Sequence, residues 1–127
     1  MSESGVESRV VEFTGNREVF FELLKMNPGV FVFKFGAEWC TPCKAIKKYI
    51  DNVSLVIPNN NTIFIYSVDV DECFDLYAFL KHKKMVNGIP VFLAYARGIN
   101  EGPIASITGA SLPDIETFFA TCMSYRF

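Results

Sequence analysis

The sequence predicts an α/β fold in which a central mixed sheet of about five strands is flanked by about four helices. Segment 30–35 is almost continuously apolar and rich in β-branched and aromatic residues, which is typical of a central strand covered on both faces. Two further strand-like runs, 91–95 and 103–108, are separated by a turn around Arg97-Gly98 and should pair antiparallel. The full order, β-α-β-α-β-α-β-β-α, joins a parallel βαβ half to a ββα half.

The first half of the chain supplies the parallel part of this pattern. Residues 1–9 are polar and small, and we interpret them as a flexible leader before a single domain over residues 10–127. A first strand is predicted at 10–13, and Thr14 is the expected N-cap of a helix over 15–26. The helix after the central strand is predicted from Cys43 to about Val56, with Asp51 on its water-facing side.

The second half begins with a loop at 58–61 and a strand at 62–68, parallel to the central strand. A helix from about residue 72 to residue 83 should follow, capped by Asp69 or Asp71. After the antiparallel pair, Ser111 or Asp114 should begin a last helix over 113–123.

Composition narrows the function classes. The 127 residues suffice for one hydrophobic core, and with half of them hydrophobic and 20% charged the chain should fold unaided. The formal net charge is −2 and no broad basic face is present, so nucleic acid is not expected as a partner. No segment approaches the roughly 18 apolar residues that span a bilayer, and no secretory signal is seen, so we expect a cytoplasmic monomer without membrane contact.

Two of the four cysteines, Cys40 and Cys43, are closely spaced at a predicted strand-to-helix junction. A thiol attacks a disulfide as the thiolate, which a helix N-terminus stabilises through unpaired N–H groups and the macrodipole. Three residues further on, Cys43 lies one helical turn away, where its sulfur can reach that of Cys40. Pro42 is compatible with the first turn of a helix. One alternative is that the pair is half of a zinc site, although the chain has no second close pair of cysteines. The other alternative is a purely structural disulfide.

The segment Phe35-Gly36-Ala37-Glu38-Trp39-Cys40-Thr41-Pro42-Cys43-Lys44 resembles the thioredoxin active site, with Thr41 in place of the commoner Gly. Segments 68–72 and 88–91 are similar to the family's third-strand ending and to its cis-proline segment. The resemblance covers roughly residues 10–123 and implies the thioredoxin fold. An ordinary trans turn proline at Pro90 is the alternative to the cis bond.

The resemblance also implies roles for individual residues. Cys40 would be the nucleophile and Cys43 the resolving thiol, and Gly109 would leave room for a partner's backbone. The groove for a protein substrate would be lined by Trp39, Thr41, Pro42, Ile89 and Pro90. No bound cofactor is implied beyond the redox-active Cys40-Cys43 disulfide, and electrons would come from a thioredoxin reductase or a glutathione system.

Two positions depart from the family pattern. Lys34 stands where thioredoxins resemble one another in a buried Asp that handles the resolving cysteine's proton, and Ser67 stands where they have its lysine partner. A buried ammonium is costly, so Lys34 should reach water, pair with a carboxylate or have a lowered pKa. We treat Lys34 as a residue that tunes the pKa of the cysteines; the alternative is that it points away and only packs its stem.

The other cysteines and the single histidine have simpler interpretations. Cys73 occupies a place where some animal thioredoxins carry a regulatory cysteine, and the alternative is a thiol buried as a small hydrophobe. Cys122 is predicted in the core, and His82 on a solvated helix face.

These observations predict a thiol–disulfide oxidoreductase that reduces protein disulfides through a mixed disulfide. A more oxidising oxidase or isomerase is the alternative if Lys34 and Thr41 raise the reduction potential. A third interpretation is a redox-inactive binding module, although such a module would not need Trp39, Pro90 and both cysteines.

Overall fold

The computed structural model describes residues 8–57, 62–98 and 102–125. Its elements follow the predicted order: β1 Val11–Phe13, α1 Arg17–Lys25, β2 Val30–Gly36, α2 Thr41–Val56, β3 Ile63–Asp69, α3 Phe74–His82, β4 Val91–Ala96, β5 Ala105–Thr108 and α4 Leu112–Met123. Residues 1–7 of the expected leader and the expected loop at 58–61 lie outside the described residues.

The sheet is mixed and has the strand order β1-β3-β2-β4-β5. β1 and β2 both pair in parallel with β3, whereas β4 pairs antiparallel with β2 and with β5. β2 lies at the centre and all seven of its residues are buried, as its unbroken apolar run predicts. The predicted α/β fold, a five-stranded mixed sheet with four helices, is confirmed.

The alternation of side chains along β2 divides the core into two layers. Phe31, Phe33 and Phe35 belong to the layer that packs against α1 and α3. Val30 and Val32 belong to the other layer, which packs against α2 and α4. Because successive side chains of a strand point to opposite faces, one central strand serves both layers.

The strand register determines which loops meet. Phe35 is opposite Val91, and Val91 is opposite Thr108. Three segments therefore meet at one end of the sheet: the chain leaving β2, the chain entering β4 and the chain leaving β5. This end is the carboxyl end of β2, where a reactive group is expected in an open α/β sheet.

Helix α1 begins later than predicted. Its N-cap is Asn16, whose Oδ1 accepts a hydrogen bond from the Val19 N–H at 3.0 Å, so Thr14 is not the cap. Gly15 has a φ of 148°, a conformation that L side chains rarely adopt, and the helix starts only after this turn.

Helix α3 also begins later than predicted, at Phe74. Asp69 Oδ1 accepts from the N–H groups of Asp71 and Glu72 at 2.8 and 3.2 Å, so it stabilises the turn before the helix. The N-cap position belongs to Cys73, which makes no side-chain capping bond. Asp69 and Asp71 are therefore not caps of this helix.

Helix α2 begins two residues earlier than predicted and its Asp51 is buried, not water-facing. Asp51 accepts from Lys47 Nζ and from Ser8 Oγ, each at 2.8 Å. Arg9 donates its backbone N–H to Ser54 Oγ and a guanidinium N–H to the Ile57 carbonyl, at 3.0 and 2.9 Å. The last two residues of the expected leader thus lie against α2 and cover Asp51.

Candidate active site

Cys40 is the N-cap of α2, and its Sγ accepts a hydrogen bond from the Cys43 N–H at 3.2 Å. The two cysteines form a disulfide with a Cα–Cα separation of 5.3 Å, and both are buried. Pro42 lies in the first turn, where its missing N–H leaves no helical bond unmade. The geometry is that of a thiol pair at a helix N-terminus, which stabilises a thiolate on Cys40 when the disulfide opens.

Trp39, immediately before the dithiol, is 66% exposed despite its large apolar ring. Its Nε1–H donates to Asp71 Oδ2 at 2.8 Å, which fixes the indole against the turn that follows β3. Thr41 and Pro42 are also exposed. An apolar ring held in water beside a reactive pair is available for contact with another molecule.

The Ile89-Pro90 peptide bond is cis, as the resemblance implies. The Pro90 carbonyl accepts from the Gly109 N–H at 2.8 Å, which ties the segment before β4 to the chain leaving β5. Gly109 has a φ of 113°, and a Cβ built there would meet nothing within 4 Å. The backbone at Gly109 is thus open to an approaching chain.

The buried side of the dithiol adjoins a charged cleft of about 560 Å³, whose lining includes Cys43, Lys34, Glu12 and Glu72. Gly36 forms part of this lining, and a Cβ there would lie 3.1 Å from Cys43 Sγ. Lys34 is two residues earlier on the same face of β2, so it faces the site.

Burial lowers the pKa of the Lys34 ammonium, whereas the nearby Asp51 carboxylate raises it and Lys47 adds to the lowering. Asp51 is thus the carboxylate whose charge acts on Lys34, although within the described ranges no ion pair joins the two. The pKa of Asp51 is lowered: burial opposes this, but hydrogen bonds from Lys47 and Ser8 outweigh it, and the charges of Lys47 and Lys34 add to the lowering. Ser67 is directly opposite Lys34 in β3.

The remaining two cysteines are free thiols in the core. Cys73 is 3% exposed, its Sγ lies 3.6 Å from the Phe13 carbonyl, and burial raises its pKa. Burial also raises the pKa of Cys122 to about 12. A regulatory reaction at Cys73 would therefore need local opening, and its placement matches the alternative of a buried thiol. His82 is exposed in the last turn of α3, as predicted.

Two residues near the site carry contacts that sequence reasoning missed. Asp71 holds Trp39, and Tyr77 is hydrogen bonded through its hydroxyl to both backbone polar groups of Gly88. From the sequence, Asp71 was expected only as a helix cap, and no partner was predicted for Tyr77. The polar end of an amphipathic ring is the one signal that could have indicated a partner for Tyr77.

In the part of the chain that the structure describes, no group of three His, Cys, Asp or Glu side chains is placed to hold a metal ion. Over the same residues no helix is both long enough and apolar enough to cross a membrane.

Comparisons with known proteins identify the family. A family model described as Thioredoxin matches residues 10–120. The thioredoxin of Rattus norvegicus is 33% identical over 112 residues, which cover 87% of this chain and 100% of the rat protein. Thioredoxin 3 of Plasmodium falciparum is 34% identical over 89 residues, 69% of this chain but only 45% of that longer protein.

Solved structures give the same fold. The structure of Trichomonas vaginalis thioredoxin superposes with a TM-score of 0.74 at 22% identity and covers 94% of this chain and 100% of that one. Mitochondrial thioredoxin 3 from Saccharomyces cerevisiae, in its oxidised form, gives 0.64 at 26% identity, with coverages of 85% and 91%.

The fold and the helix-capping dithiol together define a thiol–disulfide oxidoreductase, whose redox group is the chain's own cysteine pair. The chain belongs to the thioredoxin family.

Proposed function

We propose that this chain reduces disulfide bonds of other proteins through Cys40, in the cytoplasm and as a monomer. The observation that supports the proposal is the position of Cys40 Sγ at the N-cap of α2, where it accepts the Cys43 N–H. A thiolate there is stabilised by a hydrogen bond and by the helix dipole. The cytoplasm is proposed because a dithiol that acts as a reductant needs a reducing compartment.

The reaction proceeds in two exchanges. The Cys40 thiolate attacks one sulfur of a substrate disulfide, a Cys40–substrate disulfide forms, and the second substrate sulfur leaves as a thiolate that takes a proton from water. Cys43 then loses its proton to water and attacks Cys40 Sγ. The Cys40–substrate disulfide breaks, and the first substrate sulfur leaves as a thiolate that takes up a proton from water. Two electrons pass to the substrate, and the Cys40–Cys43 disulfide remains.

The surface around the dithiol would bind the substrate. Trp39, Thr41 and Pro42 are exposed beside Cys40. The cis-proline segment that contains Ile89, and Gly109 after β5, lie at the same end of the sheet. No cofactor is needed in this scheme. A thioredoxin reductase or a glutathione system would return two electrons to the disulfide.

A more oxidising enzyme, an oxidase or isomerase, is the second candidate, and one observation favours it. Lys34, with an ammonium group at its end, lines the cleft that also contains Cys43. A nearby positive charge stabilises thiolates, so it stabilises the reduced form and raises the reduction potential.

Insulin reduction driven by dithiothreitol tests the principal proposal. The wild-type chain should reduce insulin catalytically. The rate with Cys40→Ser should be lower by more than about 100-fold, because the attacking sulfur is gone. Cys43→Ser should accumulate a mixed disulfide on Cys40 that dithiothreitol releases. Cys73→Ser serves as the matched control and should retain activity.

An inactive wild-type chain would contradict this proposal and favour a binding module. Mixed disulfides that form on Cys43 in Cys40→Ser, rather than on Cys40 in Cys43→Ser, would reverse the assigned roles.

A further inference from the structure

The hydroxyl of Tyr77 makes two hydrogen bonds, both with the backbone of Gly88. It donates to the Gly88 carbonyl at 2.8 Å and accepts from the Gly88 N–H at 3.1 Å. A phenolic hydroxyl has one hydrogen to donate, so both roles are filled by a single glycine. The ring of Tyr77 packs against Phe35, with centroids 6.1 Å apart. Tyr77 therefore contacts both the strand that leads to the dithiol and the segment that leads to the cis-proline.

Gly88 is a place where such support is needed. Its φ of 100° lies in the left-handed region, and a Cβ there would meet only Thr108 Cγ2 at 3.8 Å, so the glycine is required by conformation, not by space. No strand or helix includes residues 83–90, so the ladder bonds of β4 begin only at Val91. The bonds from Tyr77 thus replace the ladder bonds that this segment lacks.

Ile89 lies between two residues whose backbones are anchored by hydrogen bonds. Gly88 is bound by Tyr77, and the Pro90 carbonyl by the Gly109 N–H at 2.8 Å. Within the described ranges, the backbone N–H and carbonyl of Ile89 have no hydrogen-bond partner. The chain bends at residues 88–90, just before β4, so these two groups of Ile89 lie outside the sheet ladder and are available for hydrogen bonds with the backbone of a bound peptide.

We propose that Tyr77 is a positioning residue for polypeptide substrates: its ring packs on Phe35 while its hydroxyl binds Gly88, and it thereby orients the Ile89-Pro90 segment relative to Cys40. This inference rests on the proposed disulfide reductase activity and adds a substrate distinction to it. Disulfides within extended peptide segments use the Ile89 backbone and depend on Tyr77. Small disulfides, which need only the Cys40 sulfur, do not.

The test compares Tyr77→Phe with wild type on two substrates, a pair of short peptides joined by one disulfide and the small molecule dithiobis-nitrobenzoate. Tyr77→Phe keeps the ring against Phe35 and removes only the hydroxyl. For the peptide disulfide, KM should rise roughly three- to tenfold while kcat stays within about twofold, because binding is lost and chemistry is not. The rate with the small disulfide should be unchanged.

Tyr66→Phe is the matched control, because Tyr66 packs against the same core layer and its hydroxyl makes no hydrogen bond among the described residues. It should leave both substrates unaffected. Gly88→Ala tests the segment from its other end and should raise KM for the peptide as well. In the Gly88→Ala background, Tyr77→Phe should have a smaller effect than it has alone, since both changes act through one residue.

A peptide KM within twofold of wild type in Tyr77→Phe would overturn the inference, as would equal losses on both substrates. If the effects of Tyr77→Phe and Gly88→Ala on the peptide KM were fully additive, Tyr77 would not act through Gly88. A wild-type chain that reduces neither substrate would instead overturn the proposed function, so the two failures are distinguishable.

Discussion

Lys34 combines burial with a position next to reactive sulfur. It is 8% exposed, the nearby Asp51 carboxylate is already hydrogen bonded to Lys47 and Ser8, and the pKa of Lys34 is lowered chiefly by burial. The sequence placed Lys34 on the central strand but could not show Asp51, because a polar residue on an amphipathic helix gives no sign of being covered by a segment more than 40 positions earlier in the chain. We therefore propose that Lys34 acts through the electrostatic potential at Cys43, with which it lines one cleft.

We predict that Lys34→Asp lowers the reduction potential of the Cys40–Cys43 couple, because it replaces a charge that stabilises thiolates by one that opposes them. A lowering of about 30 mV corresponds to about 1.4 kcal/mol for a two-electron couple. Equilibration with glutathione measures it. An unchanged or more positive potential in the Asp variant would rule out the tuning role.

The charge change itself has a matched control in Lys48→Asp, which alters net charge equally at an exposed position that does not line the cleft. It should leave the potential nearly unchanged. Lys34→Met separates the lost positive charge from the added negative one. The difference between wild type and Lys34→Met should be largest where the reduced cysteines carry a thiolate and Lys34 is still charged. It should fade as the pH rises through the pKa of Lys34, which burial lowers from its ordinary value.

At the scale of elements, the cap of α1 shows where local sequence preference was insufficient. Thr14 and Asn16 are both good N-cap residues, and sequence alone does not decide between them. The decision comes from Gly15, whose φ of 148° turns the chain so that only Asn16 faces the free N–H groups. Backbone conformation at a glycine is thus the missing information.

Asn16→Ala should destabilise the protein by about 1 kcal/mol, within a range of roughly 0.5–2 kcal/mol for lost N-caps. Thr14→Ala should cost less than about 0.5 kcal/mol, since Thr14 is exposed and is not the cap. Urea unfolding followed by circular dichroism measures both. Equal costs for the two variants would show that the cap bond contributes nothing specific.

The strands and the order of elements were predictable for a different reason. The apolar run of β2 and the helical spacing in α2 and α4 arise from burial, which sequence patterns report directly. The start of α3 was misplaced because Asp69, a good cap by type, is used in the preceding turn. The dithiol was found from its spacing, whereas Asp71 and Tyr77 were not, because their partners depend on how separate loops meet.

At the scale of the whole molecule, the two core layers share one strand. Phe33 in β2 and Phe92 in β4 are fully buried, on opposite faces of the sheet. Loss of either layer would expose the same central strands to water. We therefore propose that the described chain, including Ser8 and Arg9, behaves as one cooperative domain.

If the domain is cooperative, a substitution that destabilises one core layer should increase the opening of both layers equally. Phe33→Leu and Phe92→Leu should each destabilise the protein by about 1–2 kcal/mol, because each removes buried atoms from a close-packed layer. If the layers unfold together, each change should speed hydrogen exchange of the most protected amides in both α1 and α4 by the same factor, about tenfold per 1.4 kcal/mol. Exchange followed by mass spectrometry on the oxidised protein distinguishes the outcomes. Faster exchange in α1 alone for Phe33→Leu, with α4 unaffected, would mean that the layers open separately and that the shared strand does not couple them.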